Sequence, residues 1–334
     1  MSKQQIIVCG AGIAGLWQAL TLARRGYPVV LTERAKAPFE DACSLYAGAM
    51  LSPFCEEESA EPLIRELGLR SIALWREAYP GLIEAGSLVL AQPRDRRELD
   101  RYGRVTQGHE RMSGKELSAL EPGLKGRFET ALYYAEEAHV EPRPAMEFLL
   151  DAVGQAGVDV RLGEDGLPAG GATIIDCRGL AAGDALSGLR GVRGERLIIR
   201  TDEVQLGRPV RLLHPRFPVY VVPWSGGHFM VGATQIESET AGSITVRSAL
   251  ELLGTAYALD PAFGEAEIVE FGSDLRPAFS DNLPRIVVEG DTLYVNGLYR
   301  HGFLLAPALA ELVADYLENG VRHPEVFGAD CSQR

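Results

Sequence analysis

The chain has 334 residues, 46% of them hydrophobic, which is enough to bury a sizeable core and more than one average domain needs. With 33 basic residues against 46 acidic ones the net charge is −13; this repels phosphate backbones and leaves no basic face for anionic lipid, so nucleic acid and membrane are not expected partners. No apolar run reaches the roughly eighteen residues of a spanning helix and no charged-then-apolar leader precedes the first strand pattern, so a cytoplasmic protein is expected.

In chain order, Gln5 to Cys9 reads as a short apolar strand, Gly10 to Gly15 as a glycine turn, Leu16 to Arg25 as a helix and Pro28 to Leu31 as a second strand. That is a βαβ start. Asp41 to Pro53 (DACSLYAGAMLSP) is rich in small residues, fits neither period and predicts a loop that lets something lie close to its backbone. Helical spacing returns from Glu61 to Tyr79, Gly86 to Ala91 is β-like, and a charged helix leads to Ser113 and Glu116, which have capping-box spacing. Pro142 to Gly157 predicts a helix, and Val158 to Leu162 and Thr173 to Asp176 predict strands. From Glu195 to Gly232 the runs are β-like with turn glycines, as in Val219 to Val222 and His228 to Gly232. A helix from Val246 to Ala258, a strand from Ala266 to Ser273, a strand from Leu293 to Asn296 and a helix from Leu304 to Asn319 complete the chain.

This order predicts an α/β protein in which a Rossmann-like dinucleotide-binding domain (1–52, 135–200 and 285–330) is interleaved with an α+β domain (53–134 and 201–284) carrying a mainly antiparallel sheet. Cys9, Cys43, Cys55, Cys177 and Cys331 are widely spaced and never form C-x-x-C, so free thiols are expected. The six histidines show no ligand spacing, and no metal site is expected. A homo-oligomer is compatible with the sequence.

Gly10, Gly12 and Gly15 form G-x-G-x-x-G directly after a strand and before a helix, so backbone amides can approach a pyrophosphate at the positive helix end. Glu33 closes the second strand, where a carboxylate can accept hydrogen bonds from both ribose hydroxyls. This pattern does not choose between NAD and FAD.

The choice comes from motifs further along: SLYAGAMLSP, GSLVLA, VEPRPAMEFLLDA, VRGE, VYVVPWSGGHFMVGAT, GSDLRPAFSDNLP and NGLYRHGFLLAPALAELVADYL. In this order they resemble the D-amino-acid oxidase superfamily of flavoproteins (D-amino-acid oxidase / glutathione-reductase-2 type), and within it the glycine oxidases associated with thiamine biosynthesis. The resemblance implies non-covalent FAD, held by Gly10, Gly12, Ile13, Ala14, Gly15, Glu33 and Arg34 at the adenosine half, with Val140 and Gly179 also near the cofactor. It implies Ser44, Gly48, Ala49 and Met50 along the isoalloxazine ring, and Arg300, His301, Gly302, Phe303 and Leu304 at its edge, where the N-terminus of the last helix stabilises negative charge on the reduced ring. Arg276, at the end of a strand-like run, is implied to clamp a substrate carboxylate with Tyr220 assisting, in a pocket completed by Met50, Gln235 and Arg300. No cysteine lies near the Arg276 segment in the sequence, which argues against covalent flavin.

Two departures from the family pattern stand out. The connection RLGEDGLPAGGAT between Val160 and Ile174 is short, so the adenine side is expected to be built differently, and Gln235 stands where a glycine oxidase has an apolar residue. The implied reaction is oxidative deamination of glycine or a small N-substituted glycine such as sarcosine: hydride leaves Cα for flavin N5 without a protein base, the imine hydrolyses to glyoxylate, and dioxygen takes the electrons as hydrogen peroxide. The open alternatives are oxidation of a D-amino acid or N-carboxymethyl amine, a dehydrogenase passing electrons to a carrier, an NAD(P)-dependent dehydrogenase, and a non-catalytic flavin-binding protein. Oxidation of a carboxymethylamino group on transfer RNA conflicts with the acidic charge.

Overall fold

A computed structural model describes residues 3–165, 167, 171–214 and 219–328. The first sheet has six strands in the order Arg285–Glu289, Thr292–Asn296, Thr173–Asp176, Ile6–Cys9, Val29–Glu33, Asp159–Leu162. All its pairs are parallel except the hairpin at the Arg285 edge. Ile6–Cys9 and Val29–Glu33 are buried almost throughout because helices cover the sheet, which is why they read as continuous apolar runs.

Four helices share one core with this sheet: Ile13–Arg24, Pro62–Ala78, Pro142–Gln155 and the terminal Gly302–Asn319. Trp75 locks two of them together. Its indole N–H donates to the Phe303 carbonyl at 2.9 Å, its ring stacks on Phe303, and Trp17 meets it edge-on at 4.9 Å. The start of the terminal helix is thereby fixed from behind.

The second sheet has nine strands and is antiparallel except where Val210–Leu213 runs parallel to Ser87–Ala91. Its centre is Arg190–Arg200, His228–Gly232, Val219–Pro223 and Val210–Leu213, flanked by Ser87–Ala91, Thr130–Tyr134 and Glu110–Ser113; Glu267–Ala278 pairs with Arg190–Arg200 along its whole length. One face packs Leu197, Val221 and Val231 against the helix Val246–Leu259.

Several expectations need correction. The strand expected to end at Ser273 continues to Ala278, so Arg276 lies inside it. Pro277 is tolerated because this is an edge strand, where a missing N–H costs no ladder bond. Arg190–Arg200, placed with the dinucleotide domain by the boundary at 200, belongs to the second sheet, and Pro62–Ala78, placed with the other domain, packs in the first core. The loop Asp41 to Pro53 contains a short helical turn, Cys43–Tyr46, and a strand, Met50–Leu51, paired with Ala138–His139. The first helix begins at Ile13, three residues earlier than its spacing implied. Part of the short connection between Val160 and Ile174 lies outside the described residues, as does Cys331; the other four cysteines are free thiols. Among the described residues no helix is long and apolar enough to cross a membrane, and no group of His, Cys, Asp or Glu is placed to hold a metal.

Candidate active site

The two sheets enclose a cavity of about 360 Å³, a size typical of small-molecule sites. The glycine turn forms one end. Gly10 has φ +97°, and a Cβ there would stand 2.7 Å from the Cys177 carbonyl oxygen, so only glycine fits. A Cβ on Gly15 would lie 1.8 Å from the Gly10 oxygen; Gly15 therefore serves the close approach of helix to turn and does not line the cavity, unlike Gly10, Gly12, Ile13 and Ala14. Glu33 is oriented by two backbone donors, Ala11 N–H at 2.7 Å and Ala35 N–H at 3.1 Å. Arg34 lines the same end, paired with Asp41 at 3.1 Å.

Along the middle, Ser44 Oγ accepts from Ile13 N–H at 3.2 Å and ties the small-residue loop to the helix start. Gly48, Ala49 and Met50 line the wall, with Ala49 in the left-handed region at φ 48°. Val140 does not line the cavity. It is fully buried, and its N–H donates to the Ala49 carbonyl at 3.1 Å, so it supports the loop from the core. Gly179 does line it, its carbonyl accepting from Asn296 Nδ2 at 2.8 Å.

The terminal helix starts at Gly302, with His301 as an N-cap that offers no side-chain hydrogen bond. The first intrahelical bond runs from Leu305 N–H to the His301 carbonyl, so the amides of Gly302, Phe303 and Leu304 carry the positive helix end to the cavity wall that these residues form. His301 is buried, and burial pushes its imidazole down to about 4, leaving it neutral.

Strand register explains the other end. Residues directly opposite one another share a sheet face, and so do residues two apart along a strand. The row Gly272, Arg196, Gly232, Tyr220, Arg211 crosses five strands, and Asp274 with Gly194 and Arg276 with Val192 lie on the same face. Tyr220, Arg211, Asp274 and Arg276 thus line one cavity wall. Arg276 lies flat over Gly194, where a Cβ would be 2.2 Å from Nη2, and its Nη1 donates to the Thr234 carbonyl at 3.0 Å. Gln235 sits at the mouth and accepts from the Tyr299 hydroxyl at 3.1 Å.

Among the described residues five arginines line the cavity. Arg34, Arg178, Arg211 and Arg300 each pair with a carboxylate; among the described residues Arg276 pairs with none. Arg300 lines the cavity as expected, but Glu56 Oε2 at 2.5 Å and Ser59 Oγ at 2.7 Å hold it. Burial raises the Glu56 carboxyl, yet Arg300, His301 and Arg211 together overcome that and hold it at about 2.

Sequence reasoning missed Glu56, Arg211, Tyr299 and Cys43. Glu56 opens the acidic run EEE and reads as a solvated face, whereas Arg211 carried a signal, a charge inside the apolar strand VRLL. Cys43 corrects an earlier inference: distant from Arg276 in sequence, it lines the same cavity and feels the charges of Asp274 and Arg276. Burial pushes its thiol up to about 12, which removes the thiolate that attack on a cofactor would need.

A family model described as FAD dependent oxidoreductase matches residues 5–316. A Rhizobium etli protein named as a thiamine biosynthesis oxidoreductase, ThiO, is 50% identical over 96% of this chain and 98% of its own length. Glycine oxidase of Pseudomonas aeruginosa is 27% identical over 94% of this chain and 95% of its own. The crystal structure of glycine oxidase from Geobacillus kaustophilus superposes with a TM-score of 0.80 at 24% identity, covering 95% of each chain, and shows the shared fold.

Proposed function

The chain belongs to the FAD-dependent oxidoreductase family, and on that premise we propose that it oxidises glycine or a small N-substituted glycine, with dioxygen as electron acceptor. The reading rests on one observation above others: Arg276 is the cavity arginine without a carboxylate partner among the described residues. The guanidinium is half-buried and bonded on one side to the Thr234 carbonyl, which leaves donors open to a ligand carboxylate in the cavity.

The residues present fit the cofactor. Gly10 and Gly12 leave the turn open for a pyrophosphate, Glu33 would accept from the ribose hydroxyls, and the amides of Gly302 to Leu304, which precede the first intrahelical bond, would donate to the flavin. FAD, when bound, supplies the two-electron acceptor for the Cα–H bond and returns the electrons to dioxygen as hydrogen peroxide. Arg276 fixes the substrate carboxylate in two-point contact, and Tyr220, whose hydroxyl has no side-chain hydrogen bond among the described residues, supports that clamp. His301, neutral and a weak base at about 4, adds no competing charge. Gln235 and Tyr299 close the mouth and bound the N-substituent. The product imine hydrolyses to glyoxylate and ammonia or a primary amine. In this reading the first sheet carries the cofactor, the second carries the substrate contacts, and the likeness to a protein named for thiamine biosynthesis supports a place in that pathway.

The test is the visible spectrum of the purified protein under anaerobic conditions, before and after glycine and then sarcosine. A flavin band that bleaches with either amine and recovers in air is expected. A band that neither amine bleaches would overturn the substrate. Arg276→Ala should raise the substrate concentration required far more than Gln235→Ala.

A further inference from the structure

Three charged groups and a histidine meet where the terminal helix begins, more than carboxylate binding requires. Glu56 Oε2 lies 2.5 Å from Arg300 and 3.6 Å from His301 Nδ1, and Arg211 Nη2 donates to Glu56 Oε1 at 3.1 Å. Glu56 ends the short helix Pro53–Glu56 and Arg211 sits in the second sheet directly opposite Tyr220, so the pair joins both halves of the molecule at the cavity wall. Glu56 is 9% exposed and Arg211 6%. Burying two charges is costly, and an apolar pair of similar volume would pack as well or better. Keeping both therefore points to what their charges do.

Counting formal charge at this end of the cavity, Arg211, Arg300 and Arg276 contribute three positives, Glu56 and Asp274 two negatives, and neutral His301 nothing. A substrate carboxylate cancels the one that remains. Among the described residues Arg211 Nε has no hydrogen-bond partner, so its charge is not fully spent on Glu56. The helix end adds its own partial positive charge.

We propose that Arg211 and Glu56 are a balancing pair that sets the electron affinity of the bound flavin, Arg211 raising it and Glu56 lowering it, at the end of the cavity shared by Tyr220 and the terminal helix. They act on the ring through its surroundings and are tuning residues for the oxidation. The inference rests on FAD binding and not on the identity of the amine.

The experiment is titration of the FAD-loaded enzyme with sulfite, which adds to oxidised flavin and places negative charge on the ring, together with the two-electron midpoint potential. One unit charge on the order of 10 Å away in a partly buried site changes such an equilibrium roughly tenfold. Arg211→Met should therefore raise the sulfite dissociation constant about tenfold and lower the potential by about 30 mV. Glu56→Gln should shift both in the opposite direction, and the double variant, whose net charge equals that of the parent, should return to within about threefold of it. Arg211→Lys should stay near the parent. A purely structural role would move both single variants the same way, and that result, or no shift in either, overturns the proposal. If Arg211→Met fails to retain FAD, Glu56→Gln alone decides: unchanged or weaker sulfite binding overturns the proposal. Failure of glycine to bleach the flavin would instead concern the substrate, and leaves the sulfite readout intact.

Discussion

Gly194→Ala tests the carboxylate clamp without touching the arginine. Gly194 lies beneath the Arg276 guanidinium, and a Cβ there would stand 2.2 Å from Nη2 and 2.3 Å from Cζ, whereas ordinary contact begins at 3.4 Å. The guanidinium must retreat by more than about 1 Å. It is the end of a flexible side chain, so the strand holds while the clamp moves, and Nη1 leaves the Thr234 carbonyl it now meets at 3.0 Å. Losing well-formed charge-assisted contact costs about 1.5–3 kcal/mol, so kcat/KM for glycine should fall by about 10- to 150-fold. Peroxide release against glycine concentration measures it, with flavin content and the thermal midpoint as controls for folding. A folded, yellow Gly194→Ala enzyme with kcat/KM within about twofold of the parent would refute the placement of the substrate on Arg276.

Two further outcomes follow from the same geometry. Glu33→Gln puts an amide donor against one of the backbone donors at Ala11 and Ala35, so FAD should bind about tenfold more weakly or worse by flavin-fluorescence titration of the apoprotein; unchanged affinity would remove Glu33 from the ribose site. His139 and His301 are both held at about 4 by burial, below an unfolded value of about 6.5. As pH falls from about 6.5 to about 4, the unfolded chain takes up protons that the folded one refuses, so stability declines across that window, on the order of 3 kcal/mol per histidine. Glu56, depressed to about 2, adds a further loss below about 4.5. Urea midpoints at neutral pH and near pH 4.5 measure this, and equal midpoints would show that the two histidines titrate normally in the fold.

What the sequence made legible was local. The glycine turn and its flanking strand and helix are specified within about thirty residues, because turn, dipole and apolar period are all short-range properties. The terminal helix is equally plain, an apolar run whose start the packing of Trp75 on Phe303 merely fixes. The domain boundary at 200 was illegible for the opposite reason. Arg190–Arg200 reads RGVRGERLIIR, with glycines and charges that weaken a strand pattern, and its identity comes from Glu267–Ala278 and His228–Gly232 on either side. Strand propensity of this kind measures neighbours more than residues.

The same distinction governs the site. Every arginine in the cavity has the same chemistry, and what separates Arg276 from Arg300 is that, among the described residues, a carboxylate from another element reaches Arg300 and none reaches Arg276. No window of sequence contains that difference, since Glu56 and Arg300 are brought together only by folding. The cavity space is likewise made by absence. Arg276 lies over Gly194, Tyr46 over Gly272 and Tyr220 beside Gly48, and at each of these glycines a Cβ would come within 3 Å of the side chain resting there. The glycines are visible in the sequence as weak points in strands and loops. Their purpose becomes readable once register shows which long side chain occupies each one, so the cavity wall is specified jointly by residues far apart in the chain, each pair useless without its other half.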